Sequence, residues 1–459
     1  MNTTSTNLTS HRNGIILIAD VILFFLLLNF LPFDAKANKG LAMLAFIAVL
    51  WLTEALHVTI TALLVPLLAI ALDLVSTKQA LVAFADPNIF LFFGGFALAT
   101  ALHQQNIDRM IANKIMALAG GRLFVAVIYL FSITAFLSMW MSNTATAAMM
   151  LPLAMGILSQ MDKEREHNTY VFVLLGIAYS ASIGGMGTLV GSPPNNIVAT
   201  QLKLTFSDWL SYGLPVMIIL MPIMIGTLYI VFRPKLNLNF TQQFEKIEFN
   251  SKRIITLIIF VAIALCWIFS SKINPMLSSW LGEKIASFDS VIALLAAVVI
   301  CSTGVASWKQ LQANTDWGVL MLFGGGLTLS SVLRDSGASR ILADGIVFLI
   351  EGGHFYLIGL LVAAFIIFLT EFTSNTASAA LLVPIFISIA QSLGMPELGL
   401  ALIIGLGASC AFMLPVATPP NAIVFGTGEV KQREMIRAGI LLNIISIFVI
   451  ATFGYIFWF

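Results

Sequence analysis

Apolar stretches of about twenty residues recur along the whole chain and restrict what it can fold into. Residues 14–33 and 441–459 contain a single charged side chain between them. About 20 apolar residues in a helix cross the ~30 Å hydrocarbon core of a bilayer. Within lipid every backbone polar group needs an internal partner, so stretches of this length are expected to be helices. We therefore expect an all-α polytopic membrane protein.

The composition excludes two other classes. Only 10% of the residues are charged and the formal net charge is +1, whereas a soluble domain carries about 25% charged residues. That balance offers no basic face for nucleic acid. Cys266, Cys301 and Cys410 are odd in number and widely spaced, which fits neither a disulfide framework nor a metal cluster.

Polar breaks divide the chain into about eleven predicted spans and two segments of another kind. The two exceptions, 122–160 and 355–392, are long enough for two helical arms, and the triplet Ser-Asn-Thr interrupts each. Such a break at membrane depth requires surrounding protein or a water-filled cavity. We therefore expect two re-entrant hairpins with the triplets at their tips. The predicted spans are 13–33, 40–56, 57–75, 88–105, 170–200, 210–232, 252–271, 287–304, 317–333, 397–427 and 436–458.

The distribution of positive charge predicts the orientation. With the N-terminus in the cytoplasm, 15 of the 23 Lys and Arg residues fall on inner segments and 8 outside. This bias agrees with the positive-inside rule. It places the first hairpin on the cytoplasmic side, the second hairpin on the outer side and the C-terminus outside, in the inner (plasma) membrane of the cell.

The two halves of the chain repeat each other in order. Residues 137–153 and 369–385 are identical at 8 of 17 positions, and 189–198 and 415–424 at 6 of 10. Five predicted crossings separate equivalent points, and five is an odd number. The second copy must therefore enter from the opposite face, which makes an inverted repeat of the kind found in secondary transporters.

Each half supplies one triplet and one Pro-Pro-Asn segment, "GSPPNN" and "ATPPNA". Proline cannot continue a helical hydrogen-bond ladder, so each segment is expected to unwind a spanning helix. Ser, Asn and Thr cap helices and offer neutral oxygens to a hard cation. The sequence thus predicts two oxygen-rich pockets, each joining one hairpin tip to one unwound helix.

These motifs carry no fixed positive charge. No Lys or Arg lies between Arg122 and Lys163, or between Arg340 and Lys431. A dianion there would meet helix N-termini, each worth ~0.3 to 1 kcal/mol and up to ~2 when buried, against a far larger cost of burying a bare carboxylate. We therefore hypothesise that bound Na⁺ creates the anion site.

Other residues have plainer explanations. Asp86 and Asp316 lie near span ends, where helix capping is expected, and the glycines of "FFGGF" and "LFGGG" favour close helix packing. Glu371 aligns with Met139, which argues against a symmetric ligand role. A membrane enzyme would need a nucleophile and base, and no His or Cys lies near the triplets. Paired hairpins that gate opposite faces favour alternating access over an open channel.

With two "SNTA" hairpins, "GSPPN" and "ATPPN", the chain closely resembles the divalent anion/sodium symporters, the INDY-type dicarboxylate transporters, along almost its whole length. The resemblance implies an inverted-repeat elevator homodimer with two sodium sites and substrate carboxylates between them. The implied sodium ligands are Ser138, Ser142, Asn143, Gly191, Thr370, Thr373, Asn375 and Ala417. The implied substrate contacts are Asn143, Thr144, Ser192, Pro193, Asn375, Thr376, Thr418 and Pro419.

The resemblance also implies a function and a division of the chain into scaffold and transport units. We expect sodium-coupled import of C4-dicarboxylates such as succinate, malate and fumarate, with Na⁺ as a co-transported ion. The alternative is a sodium-independent exchanger of dicarboxylates or citrate with the same fold. The expected units are scaffold helices at 13–75 and 210–304, a helix with a connecting arm at 88–118 and at 317–345, a transport domain at 122–200 and 355–427, and a last helix at 436–458.

Overall fold

A computed structural model describes residues 3–240, 247–283, 285–350 and 354–459, and these are mostly helical. The first half contains α1 (Thr3–Phe30), α2 (Ala35–Thr53), α3 (Val58–Ala71), α4 (Thr77–Val82), α5 (Pro87–Gln104), α6 (Ile107–Ala117), α7 (Leu123–Ser138), α8 (Asn143–Leu158), α9 (His167–Gly184), α10 (Pro193–Leu202) and α11 (Phe206–Phe232). The second half contains α12 (Ser251–Ile268), α13 (Ser270–Leu281), α14 (Phe288–Ser302), α15 (Trp308–Asn314), α16 (Trp317–Asp335), α17 (Ala338–Ile350), α18 (Phe355–Leu369), α19 (Asn375–Ser392), α20 (Glu397–Gly407), α21 (Pro419–Phe425) and α22 (Gln432–Phe453).

The expected all-α polytopic fold is confirmed. In the described ranges, nine helices are long and apolar enough to cross a membrane. Eight of them coincide with predicted spans, and the ninth is the hairpin arm α19. The predicted spans 57–75, 287–304 and 397–427 instead contain shorter apolar helices, because a turn or an unwound segment takes up part of each.

Both interrupted segments form helical hairpins. α7 and α8 have 16 residues each, and α18 has 15. At 1.5 Å per residue these three arms reach about 22 to 24 Å and the 18-residue α19 about 27 Å, all short of a ~30 Å hydrocarbon core. The turn between the arms falls at each triplet, because Ser142 and Ser374 cap the second arm by accepting from the backbone amides of Ala145 and Ala377. The tips therefore lie where the sequence predicted them.

Helix caps recur at matching places in the two halves. Ser76 and Gln79 form a capping box at the start of α4, and Ser307 and Gln310 form the same box at the start of α15. Helix α3 packs on α16, and α14 packs on α5, so the early helices of each half lie against a later helix of the other half. The repeat that the motifs predicted therefore extends to these helices as well.

Glycines set the distance at both of these helix crossings. A Cβ on Gly94 of α5 would lie 2.4 Å from the Cβ of Ala293 on α14. A Cβ on Gly325 of α16 would lie 2.6 Å from the backbone oxygen of Ala62 on α3. The expected role of the glycine motifs in close helix packing is thus confirmed, since only a residue without a side chain fits at either crossing.

Two central helices are broken, α9 with α10 and α20 with α21, and the second part of each packs against the other half of the chain. Helix α10 packs on α19 and α20 of the second half, and α21 packs on α8 and α9 of the first. The apolar stretch of α9 is 100% buried inside the molecule, whereas that of α1 is 11% buried. The broken helices therefore form the centre of the molecule, and α1 lies at its edge.

Candidate functional site

Both central helices unwind before their proline pairs. Helix α9 ends at Gly184 and α10 begins at Pro193, and α20 ends at Gly407 before α21 begins at Pro419. The predicted breaks are therefore present, but their positions need a correction. Each proline pair begins the second part of the broken helix, α10 or α21, and does not lie within the unwound segment. A first-turn proline needs no hydrogen-bonded N–H and has a helix-compatible φ.

One buried asparagine holds each unwound segment. Asn195 Nδ2 donates to the carbonyl oxygen of Gly185 at 2.8 Å and to that of Thr188 at 2.7 Å. Asn421 Nδ2 donates at the same offsets, ten and seven residues earlier, at 3.1 and 3.0 Å. Both asparagines are fully buried. The third residue of each Pro-Pro-Asn motif therefore satisfies carbonyls that the break releases.

A cavity of about 470 Å³ lies between the two tips and the two breaks. Residues of both triplets line it, together with both proline pairs. Glu54 at the end of α2 and Asp316 at the start of α16 also line it, so the cavity reaches the end of the molecule where these two helix termini lie. The inverted repeat thus builds one shared site from four chain segments.

The cavity wall has acidic groups and no basic ones. Among its described lining residues, Glu54 and Asp316 are acidic, and none is Lys, Arg or His. The helices α8, α10 and α19 all begin at this wall, so their N-terminal amide groups and positive dipole ends face the cavity. An anion bound here would meet helix N-termini, hydroxyls and the amides of Asn143 and Asn375, but no cationic side chain among the described residues.

Asn143 at the first tip is crowded by oxygen atoms. Ser138 Oγ lies 2.6 Å from Asn143 Oδ1 and 2.7 Å from the carbonyl oxygen of Ala181, with one proton to share between them. Asn143 Oδ1 also lies 3.1 Å from that carbonyl oxygen and 3.3 Å from the carbonyl oxygen of Gly191. Rotation of the amide would place Nδ2 among these acceptors, and a cation would satisfy them with Oδ1 in place. Carbonyl, amide and hydroxyl oxygens are the ligands that hard cations favour.

The second tip differs in detail. Asn375 Oδ1 is buried and has no hydrogen-bond partner among the described residues. Thr370, in the place of Ser138, donates its hydroxyl to Ile366 in its own helix at 3.0 Å. Thr373 Oγ1, in the turn after α18, donates to the carbonyl oxygen of Leu369 at 2.9 Å. A buried acceptor without a donor requires an explanation, and a bound cation supplies one.

The cavity brings most of the predicted site residues together. All eight predicted substrate contacts line it, as do six of the eight predicted sodium ligands. The other two, Ser138 and Thr370, lie fully buried behind the tips. The hydroxyls of Thr144 and Thr376 make no hydrogen bond to a described residue, which leaves them able to bind a ligand. The ligand assignments themselves stay predictions.

Three contributors to the site were not predicted from sequence. They are the carbonyl of Ala181, the missing side chain of Gly185, and Glu371. A Cβ on Gly185 would lie 2.5 Å from Asn143 Oδ1. Asp86 and Asp316 cap helices as expected, each accepting from a backbone amide. The repeated Asn195 and Asn421 could have been found from the doubled motif, but nothing local in the sequence marks Ala181 or Gly185.

Comparisons with known proteins agree with this architecture. The family model described as the sodium:sulfate symporter transmembrane region matches residues 9–459. An uncharacterized transporter of Haemophilus influenzae is 80% identical, with 98% of each chain covered. The sodium-dependent dicarboxylate transporter SdcS of Staphylococcus saprophyticus is 32% identical, covering 96% of this chain and 90% of its own. The crystal structure of the Alcanivorax borkumensis YdaH transporter, described as having an unusual topology, has a similar fold at 14% identity and a TM-score of 0.56, and the match covers 82% of this chain and 86% of that one.

Proposed function

Because the chain belongs to the sodium:sulfate symporter family, the divalent anion/sodium symporters, we propose that it imports C4-dicarboxylates together with Na⁺. The protein is a polytopic membrane transporter. Its similarity to SdcS supports a dicarboxylate as the substrate and Na⁺ as the driving ion. Succinate, malate and fumarate are the substrates we expect.

The absence of positive charge from the cavity's described lining is the observation that carries this proposal. Burying an ion costs several kcal/mol, and each helix N-terminus returns about 0.3 to 1 kcal/mol, or up to ~2 when partly buried. Glu54 and Asp316 add repulsion at the wall. Cations bound beside the tips would supply the missing attraction, so the anion binds after sodium.

The two tips supply suitable cation sites. At the first tip, Ser138, Asn143 and the carbonyl of Gly191 present oxygens to one point. At the second tip, the orphaned Oδ1 of Asn375 plays the part of Asn143, with Thr373 beside it. Carbonyl-rich pockets at unwound helices bind Na⁺ in other transporters built on inverted repeats.

The number of cations sets the electrical balance of transport. Moving a dianion inward against 100 mV, inside negative, costs roughly 4.6 kcal/mol, from about 2.3 kcal/mol per charge. Two sodium ions would cancel that charge, and a third would make import electrogenic. Two tips support a stoichiometry of at least two.

Exposure of the tip residues differs between the halves and supports alternating access. Phe372 and Val416 in the second half are 74% and 82% exposed and line the cavity. Their repeat equivalents, Trp140 and Val190, are each 8% exposed. Trp140 stacks on Phe206 with ring centroids 6.0 Å apart. We interpret the buried pair as a closed gate and the exposed pair as an open one, and in the proposed mechanism the opposite state exchanges these roles.

In the proposed elevator mechanism the hairpins and broken helices move together against the scaffold helices. With the N-terminus in the cytoplasm, α2 ends and α16 begins on the inner side, so the cavity faces inward in this state. We also propose a homodimer held by the scaffold, since the mobile units then remain free to slide. The family and the position of the cavity support these proposed assignments of domains, orientation and assembly.

Pairs of introduced cysteines test whether the two halves of the site alternate between the buried and the exposed arrangement. A Cβ on Gly95 would lie 2.9 Å from the Cβ of Val190. The repeat places Gly326 and Val416 in the equivalent positions, so these two should meet only in the opposite state. In a background without native cysteines, a Gly326→Cys/Val416→Cys pair should cross-link during turnover, and a Gly95→Cys/Val190→Cys pair should cross-link at rest. Failure of the first pair to cross-link under any condition would contradict the mechanism.

Succinate uptake into proteoliposomes tests the function itself. Radiolabelled succinate should accumulate when a sodium gradient is imposed and should not when potassium replaces sodium. Asn143→Ala and Asn375→Ala should each abolish uptake, whereas Asn29→Ala, on an exposed face of α1, should not. Uptake that does not depend on sodium, or counterflow in sodium-free vesicles, would show that the protein exchanges anions without coupling to sodium. Normal transport by both tip variants would refute the site.

A further inference from the structure

A buried carboxylate outside the predicted ligand set lies beside the second tip. Glu371 follows Thr370 in the chain and is fully buried. Its Oε1 accepts from the backbone amide of Met413 at 2.9 Å and from Asn443 Nδ2 at 2.6 Å. Its Oε2 accepts from the amide of Leu414 at 3.0 Å. One side chain thus joins the second hairpin to the unwound segment after α20 and to α22.

The hydrogen-bond pattern favours the ionised form. Each of these three contacts is a donor, and no acceptor contacts the carboxyl group among the described residues. A protonated carboxyl would leave its O–H without a partner. None of the ion pairs found in the described part of the chain includes Glu371, and no Lys or Arg lies between Arg340 and Lys431.

The first half has no such charge. Met139 takes the place of Glu371, and its carbonyl oxygen accepts from the hydroxyl of Thr188. A neutral hydroxyl therefore makes in the first half the link that a carboxylate makes in the second. The two breaks are held by the same kind of contact, but only one of them carries a negative charge.

We propose that Glu371 is a positioning residue whose charge favours cation binding at the second tip, so that the two cation sites are unequal. This inference rests on the proposed sodium coupling. A buried carboxylate without a cationic partner is unfavourable, and a cation bound at the adjacent tip would relieve it. Glu371 itself touches no cavity space, since it does not line the cavity. It acts through Leu414, which lies in the unwound segment that leads to Ala417.

Sodium-dependent thermal stabilisation tests the inference without any substrate. Purified wild-type protein is titrated with NaCl against KCl, and the measured quantity is the Na⁺ concentration that gives half of the full rise in melting temperature. Glu371→Gln should raise that concentration at least fivefold. Asp289→Asn is the matched control, because Asp289 is also a buried carboxylate that accepts from a backbone amide, that of Phe206 at 2.8 Å, away from the cavity lining. It should leave the concentration unchanged.

A second variant separates charge from structure. Asn443→Leu keeps the carboxylate but removes one of its donors, so sodium should bind at least as tightly as in the wild type. A purely structural role for Glu371 predicts that Glu371→Gln and Asn443→Leu weaken sodium binding together, and that result would overturn the proposal. If Glu371→Gln does not fold, a fivefold weakening in Asn443→Leu overturns it alone. A wild type that sodium does not stabilise would instead refute the proposed coupling.

Discussion

Gly185→Ala should damage the first cation site without destabilising the protein. The new Cβ would lie 2.5 Å from Asn143 Oδ1 and 3.0 Å from Nδ2, whereas ordinary contact begins at 3.4 Å, so the amide must retreat by about 0.9 Å. That shift breaks its 2.6 Å contact with Ser138 Oγ. Disturbing groups around a metal ion commonly lowers affinity 10- to 100-fold, or about 1.4 to 2.8 kcal/mol.

The backbone of Gly185 tolerates the substitution. Its φ is −58°, which any residue adopts. Replacing glycine by alanine at a compatible φ stabilises a protein by about 0.4 to 1 kcal/mol through the unfolded chain. The repeat equivalent of Gly185 is Ala411, so the second half already carries a methyl group at this position. In this variant the affinity of the first cation site should therefore fall while the stability of the fold does not.

Sodium-dependent succinate uptake in proteoliposomes is the assay. The Na⁺ concentration for half-maximal uptake should rise 10- to 100-fold in Gly185→Ala, with a melting temperature no lower than that of the wild type. Gly226→Ala is the control, because a Cβ on that α11 glycine would meet nothing within 4 Å. A folded Gly185→Ala protein with wild-type sodium dependence would show that Asn143 does not bind the cation.

Three further substitutions test the packing. Asn421→Leu removes two hydrogen bonds and leaves the buried carbonyl of Ala411 unpaired, whereas that of Leu414 still accepts from the amide of Ala417 at 3.2 Å. It should lower stability by about 1 to 3 kcal/mol in chemical denaturation, with Asn29→Leu as an exposed control. Gly325→Ala would place a Cβ 2.6 Å from a backbone oxygen and should abolish folded expression, whereas Gly326→Ala, 3.2 Å from a side-chain methyl, should be tolerated. Asp20→Asn should raise the melting temperature, because both buried oxygens of Asp20 lack a partner in the described part of the chain; a fall would contradict this.

The doubled motifs account for what sequence predicted well. Because the triplets and proline pairs occur twice in one order, they predicted two hairpins, two unwound helices and an inverted repeat. Helix-breaking residues act locally, so the position of an interruption can be read from the chain itself. The serine caps at both tips followed from the same local chemistry.

What sequence could not predict depends on segments far apart in the chain. Gly185 matters because Asn143 approaches it, and Glu371 because Met413 and Asn443 donate to it. Aligning Glu371 with Met139 argued against a ligand role, and nothing in the alignment revealed its contacts with the unwound segment. The spacing of residues along the chain predicts single helices and turns, whereas the roles of Gly185 and Glu371 depend on contacts between segments far apart in the chain.

The packing of α10 on α19 and α20 also bears on how the protein is made. Helix α10 ends at residue 202, and its partner α19 begins more than 170 residues later. At about 5 to 20 residues per second, the ribosome needs roughly 10 to 35 s to deliver that partner. During this interval α10 has been synthesised while α19 and α20 have not. The first half expressed alone would therefore lack helices that pack on α10 in the complete protein.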